Sequence, residues 1–187
     1  MKYLIIGLGN PGAEYENTKH NIGFKVLDTL LSASNTSFKT DRYADVSELK
    51  FKSRKLILIK PNTFMNLSGK AVSYWMQQSK IKATNILVVT DDISLPFGVL
   101  RMRKKGSDGG HNGLKDINSV LGNHYYSRLR FGVGNDFPRG KQVEFVLNNF
   151  TDLDNQSIEE RIDLAIIMIQ GFVTIGIDQT MSEFNRK

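Results

Sequence analysis

The sequence predicts an α/β protein: a single domain on a twisted, mixed but mainly parallel sheet flanked by helices. Three observations carry this reading. Short apolar runs recur near residues 2–8, 55–60, 85–91 and 128–133, each of strand length and each stopped by glycine, proline or carboxylates. Between them, apolar residues repeat at helical spacing, and strands alternating with helices build largely parallel sheets. With 187 residues, one core can bury about 70% of the surface the unfolded chain exposes. No repeat, low-complexity tract or linker divides the chain, so residues 1–187 read as one domain.

The elements follow in order. Lys2 to Leu8 is a buried strand that stops at a tight turn, Gly7-Leu8-Gly9-Asn10-Pro11-Gly12. Ile22, Val26, Leu27 and Leu30 recur at helical spacing, which starts a helix near Asn21. Lys55 to Lys60 is a second buried strand, cut off by Pro61. Ala71, Val72, Trp75 and Met76 then define a helix, with Ser68 as its expected cap. A third apolar strand over 85–91 ends in two carboxylates. Arg101 and Arg103 alternate with Leu100 and Met102 as one strand face does. After the cluster Gly106-Ser107-Asp108-Gly109-Gly110 comes a helical stretch to Leu121, then a strand from Arg128 to Val133. Ile158, Ile162, Ala165, Ile166 and Ile169 mark the face of a helix from Ser157 to about Phe172.

Composition narrows the function. The chain carries 25 Lys+Arg against 19 Asp+Glu and no Cys, which removes disulfides, thiolate nucleophiles, Fe–S clusters and Cys-based zinc sites together. Nothing approaches the ~18 consecutive apolar residues of a membrane span, and glycines interrupt the amino terminus before a signal-peptide core forms. A cytoplasmic protein is expected. The charge is polarised. Residues 101–141 hold nine basic and three acidic side chains, a local excess of six, while residues 151–187 hold seven acidic against three basic. A clustered positive field is what a polyanion such as nucleic acid feels; a solvated surface is the plainer alternative.

Among motifs, the loop after the first strand satisfies G-x-G-x-x-G, but a dinucleotide site needs a helix opening inside that loop. Ala13 to His20 has no apolar stripe, Pro11 has no amide hydrogen to give, and Asp28 lies within the amphipathic helix instead of ending a second strand. No G-x-S-x-G, P-loop or H-x-x-x-H pattern occurs. Polar residues remain where strands end: Asn10, Asn66, Asp91 and Asn112, with His20 in the first connection. In α/β sheets ligands bind outside the carboxyl ends of the strands, so these residues can converge; equally, the asparagines can make local turn bonds. A histidine suits a neutral-pH base, and a carboxylate can fix its tautomer.

Five segments in a fixed order carry a family resemblance: Gly7 to Gly12 with Tyr15, Thr18-Lys19-His20-Asn21-Ile22-Gly23, Lys60 to Gly69, Asp91 through Leu95-Pro96-Phe97-Gly98, and Gly109 to Lys115. Over essentially its whole length the chain resembles the bacterial peptidyl-tRNA hydrolases, which cleave the ester joining a peptide to the terminal ribose of tRNA and so recycle the tRNA. The resemblance implies His20 as the base that activates water, Asp91 as its supporting carboxylate, and Asn10 as the residue separating peptidyl- from aminoacyl-tRNA. It implies that Tyr15, Phe64, Asn66 and Asn112 contact the aminoacyl end and peptide, and that Arg101 and Arg103 hold the tRNA 5′ phosphate. A monomer with no metal and no cofactor, whose partner is peptidyl-tRNA, is expected. The competing reading is a non-catalytic RNA-binding protein of the same fold. Two positions depart from the family pattern: Thr90-Asp91-Asp92-Ile93-Ser94 stands where His-Asp-Glu-Leu-Asp is common, and Asp108 places a negative charge in the glycine loop.

Overall fold

A computed structural model describes residues 1–185; Arg186 and Lys187, counted in the charge of the tail, lie outside the described residues. Seven strands form one sheet: β1 (Lys2–Gly7), β2 (Lys39–Asp41), β3 (Ala44–Phe51), β4 (Arg54–Pro61), β5 (Ile86–Asp92), β6 (Leu100–Arg103) and β7 (Ser127–Gly132). Their order is β2-β3-β4-β1-β5-β7-β6. The four central strands run parallel, and antiparallel partners flank them, β2 and β3 on one edge and β6 on the other. The sheet is thus mixed, with its parallel part at the centre.

Helices cover both faces, which is why the central strands read as continuous apolar runs. Along β1, Tyr3 and Ile5 face one side while Leu4 and Ile6 face the other. The first side packs on α1 (Ile22–Ser32) and on α6 (Ile158–Thr174), through Val26, Leu27, Ile162, Ala165 and Ile169. The second packs on α2 (Ser68–Ser79) and α3 (Asn112–Leu121), through Val72, Trp75, Leu114 and Ile117. The short α4 (Gln142–Leu147) and α5 (Asp152–Asn155) lead into α6, and α7 (Ile177–Phe184) closes over β6.

The hairpin of β2 and β3 was not evident from sequence pattern. Ala44 and Val46 pack on the α2 side, whereas Leu49 and Phe51 pack on the α1 side. The strand changes its apolar face midway, so no clean alternation marks it. The expected Ser68 cap is corrected. Ser68 has helical backbone angles and opens the helix itself, and its hydroxyl donates to Met65 O at 2.8 Å. The Gly69 N–H, which has no carbonyl partner within the helix, is instead taken by the Asp116 carboxylate reaching across from α3, at 2.7 Å. An anion at a helix start also complements the helix dipole.

One contact fixes the layers at the carboxyl end of the sheet. A Cβ on Gly7 would run into the Gly23 carbonyl, and one on Gly23 would meet the Leu8 backbone and lie 2.6 Å from Val89 O. Backbone touches backbone here, with no flexible side chain to yield. Gly23→Ala should therefore lower stability by about 3 kcal/mol, at the upper end of ordinary overpacking costs. Urea unfolding measures it, and a midpoint equal to the parent's would refute the tight contact.

Candidate active site

The first turn of the α1 region brings the chemistry to the sheet. Because Gly23 lies against β1 and β5, the 3-10 turn Lys19–Asn21 just before α1 sits over the end of β5, where Asp91 is buried. His20 Nδ1 lies 3.0 and 2.9 Å from the two Asp91 oxygens. Burial pushes the Asp91 carboxyl up, but the charges and hydrogen bonds of His20 and His111 hold it well below the usual carboxylate range. An ionised carboxylate only accepts, so Nδ1 carries the imidazole proton and donates it. The other nitrogen, Nε2, makes no hydrogen bond within the described residues, and the ring lines a cleft of about 1070 Å³. Burial alone lowers the His20 pKa. The Asp91 charge and hydrogen bond more than reverse this, leaving it above the ordinary histidine value.

A second histidine shares the carboxylate. His111 Nδ1 accepts from Gly113 N at 3.1 Å and Leu114 N at 3.3 Å, capping α3. Its proton must then sit on Nε2, which lies 2.8 Å from both Asp91 Oδ1 and Thr90 Oγ1. Sequence reading did not single out His111; its place beside Asn112 in the glycine motif was the available signal. His20, Asp91 and His111 lie close enough to hold a cation. Both nitrogens facing Asp91 are occupied by protons in this hydrogen-bond pattern, however, so the trio is better suited to aligning His20 than to ligating a metal.

The other sequence-singled residues divide into three groups. Asn10, Phe64, Asn66 and Asn112 line the same cleft as His20 and Asp91. Asn10 is the most constrained. Its backbone N–H donates to Asn21 Oδ1 and its carbonyl accepts from Asn21 Nδ2, both at 2.9 Å, while its side-chain oxygen accepts from Met65 N at 2.8 Å. Its Nδ2 donor has no partner among the described residues and is free for a ligand. Tyr15, at the end of the 3-10 turn Ala13–Tyr15, does not line the cleft; its carbonyl accepts the Thr18 hydroxyl at 2.8 Å. Arg103 lines the cleft and Arg101 does not.

The two departures from the family pattern also have defined places. Asp92 turns away from His20 to the guanidinium of Arg130, with Nε to Oδ2 at 2.6 Å, and accepts from Ser94. Burial raises its pKa, and the Arg130 and Ser94 bonds overcome that to give a net lowering. Asp108 accepts from Gly110 N at 2.9 Å within its own loop.

Arg101 stands opposite Arg130 and Arg103 opposite Arg128 in the β6–β7 ladder, so four arginines share one sheet face. Arg128 and Arg130 line the cleft and were not assigned from sequence, although their i, i+2 spacing on a strand was visible. Arg128 is buried, donates from Nη1 to Ser107 O at 2.7 Å, and has no partner for Nε or Nη2 among the described residues. Facing like charges are unfavourable, and of the four only Arg130 has a carboxylate partner, Asp92, among the described residues.

A segment distant in sequence closes over the turn that carries His20. Lys19 N donates to Asn148 O at 3.0 Å, Lys19 Nζ donates to Asn149 O at 2.6 Å, and the ammonium lies 4.7 Å from the Phe145 ring. Burial lowers the Lys19 pKa, partly offset by the Asp154 charge.

Comparison with known proteins follows this geometry. Residues 4–187 match the sequence family described as peptidyl-tRNA hydrolase. Relatives bearing that name include one from Phocaeicola vulgatus, 57% identical over 187 residues, and one from Bacteroides fragilis, 56% identical over 187 residues. Each alignment covers 100% of both chains. A crystal structure of peptidyl-tRNA hydrolase from Acinetobacter baumannii superposes with a TM-score of 0.92 at 30% identity, covering 98% of this chain and 94% of that one.

The shared carboxylate makes a direct spectroscopic prediction. Titration of the His20 ring by NMR should give a pKa above the ordinary histidine value, and Asp91→Asn should lower it, since the amide removes the charge that favours imidazolium. A His20 pKa that does not move in Asp91→Asn would contradict this electrostatic pairing.

Proposed function

The chain belongs to the peptidyl-tRNA hydrolase family, and on that premise we propose that the cleft around His20 is where it hydrolyses the ester between peptide and tRNA. The observation that carries the reading is the His20 Nδ1–Asp91 hydrogen bond, because it leaves the basic nitrogen of a buried imidazole facing a solvent-filled cleft. Water bound at Nε2 gives up a proton to His20 as its oxygen attacks the ester carbonyl. The imidazolium that forms is held by Asp91, and Asp91 is in turn held by His111. Collapse of the tetrahedral intermediate breaks the bond to the ribose oxygen, which recovers the proton from His20. The peptide acid so formed releases its proton to solvent, leaving a peptide carboxylate and a tRNA with a free ribose hydroxyl. The amides of Asn66 and Asn112 are the donors within the cleft suited to the developing oxyanion.

Selectivity rests on Asn10. With its oxygen held by Met65 N–H, it turns to the ligand an Nδ2 donor that has no partner among the described residues. A donor in that place pairs with the carbonyl of the peptide bond before the last residue. Aminoacyl-tRNA has no such carbonyl and brings an ammonium instead, so donor would face donor. Phe64 supplies apolar surface to the acyl side chain. Arg103, with Arg101 behind it on the same strand face, takes the tRNA phosphate, while Arg130 is half-neutralised by Asp92.

No helix of the described residues is long and apolar enough to cross a membrane. Action as a cytoplasmic monomer belongs to the same proposal. A non-catalytic RNA-binding role leaves the paired histidines and buried carboxylate without a use, so it is the less favoured reading.

Three measurements test the assignment. His20→Ala should reduce turnover of peptidyl-tRNA by about 10²- to 10⁴-fold, the usual contribution of a general base, with tRNA affinity retained. Turnover close to the parent's would remove His20 from the mechanism. In the parent, kcat/KM should rise with pH through the raised His20 pKa, because the base acts neutral. Joint replacement Arg101→Ala/Arg103→Ala should weaken tRNA binding and flatten its log–log salt dependence by up to roughly 0.7 to 0.9 per lost phosphate contact. An unchanged salt slope would show that neither arginine meets a phosphate.

A further inference from the structure

The arginine face continues into a feature the catalytic reading does not use. Beyond Arg128, toward the start of β7, His124 and Tyr125 are exposed and stacked on each other, with ring centroids 4.6 Å apart and planes at 25°. Tyr125 is 59% exposed, unusual for a large aromatic that has no part in the core. Lys105 lies 5.4 Å from its ring centroid and also lines the catalytic cleft, so it joins the stacked pair to the cleft. Order along the strands turns these residues into a track. From Arg130 beside Asp92, through Arg128 opposite Arg103, β7 runs about 10 Å to its start at Ser127 at ~3.4 Å per residue, and Tyr125 with Lys105 lies just beyond that end. That length suits a few unpaired nucleotides leading away from the ester.

A row of cations with an aromatic platform at its end is the arrangement that holds single-stranded nucleic acid: phosphates follow the cations and a base stacks on the ring. We propose that His124 and Tyr125 form a stacking platform for an unpaired base of the tRNA 3′ strand, with Lys105 pairing with the adjoining phosphate. The proposal rests on tRNA being the substrate. It adds a contact remote from the chemistry, and it predicts where binding energy is drawn from the RNA instead of from the peptide.

Affinity for uncharged tRNA, with its unpaired 3′ tail present or trimmed back to the last base pair, tests this in a two-by-two design. Tyr125→Ala should weaken binding of the tailed tRNA by about 5- to 20-fold, the scale of one lost base–aromatic stack, and leave binding of the trimmed tRNA within about twofold of the parent. Tyr125→Phe, which keeps the ring, should bind the tailed tRNA as the parent does. Equal loss on both RNAs, no loss on either, or a Phe variant as weak as the Ala variant would each overturn the platform. Failure of the parent to bind either RNA would overturn the substrate reading along with it, so the two failures are told apart.

Discussion

The contact of Gly7 with Gly23 is the constraint on which the rest of the molecule depends. A strand end and a helix start can approach to backbone distance only where neither carries a Cβ. Once they do, α1 is seated against β1 and β5, and the turn that precedes it has nowhere to go but over the carboxyl end of β5. His20 reaches Asp91 for that reason, from 71 positions away in sequence. The reciprocal bonds between Asn10 and Asn21 lock the loop after β1 to the same turn, and the Asn10 oxygen then pins the segment at Met65. The turn at His20, the loop after β1 and the segment after β4 are thus tied one after another by hydrogen bonds that start from a steric fact.

Asp91 governs the electrostatics in the same economical way. A lone buried carboxylate would take up a proton sooner than stay charged. Two imidazole N–H donors keep it ionised, and it dictates the tautomer of one of them while a helix start dictates the tautomer of the other. The acid beside it in sequence serves a separate purpose, neutralising Arg130. Adjacent carboxylates in a strand project to opposite sides, so neighbours that look interchangeable in sequence end in different electrostatic surroundings.

How legible this was in the sequence depended on whether a feature is local. The central strands and the long helix α6 announced themselves because each buries a regular pattern. The β2–β3 hairpin did not, since its apolar residues change faces at Ser47. Asp116 capping α2 was invisible, because the carboxylate and the helix it serves are 47 positions apart. At the site, motif order pointed to His20, Asp91 and the asparagines, but not to their division of labour. That the Asn10 oxygen already holds Met65 N–H, that Tyr15 does not line the cleft and that His111 shares Asp91 follow from packing between loops distant in the chain. Arg101 and Arg103 were assigned to a phosphate, whereas Arg128 and Arg130 were counted only as charge. Only the antiparallel register of β6 on β7 shows that four of them stand together.

The closure of residues 148–149 on Thr18 and Lys19 spans 130 positions of sequence. Synthesis runs from the amino terminus, so His20 emerges well before its clamp. A copy of this chain interrupted on the ribosome before residue 149 lacks that clamp, and one interrupted before residue 127 lacks the strand that flanks β5. Such a fragment, still esterified to its tRNA, is itself a substrate of the kind this family consumes. The topology therefore separates the two conditions in time: while the chain is incomplete it belongs among the molecules to be cleared, and only when finished does it hold the site that clears them.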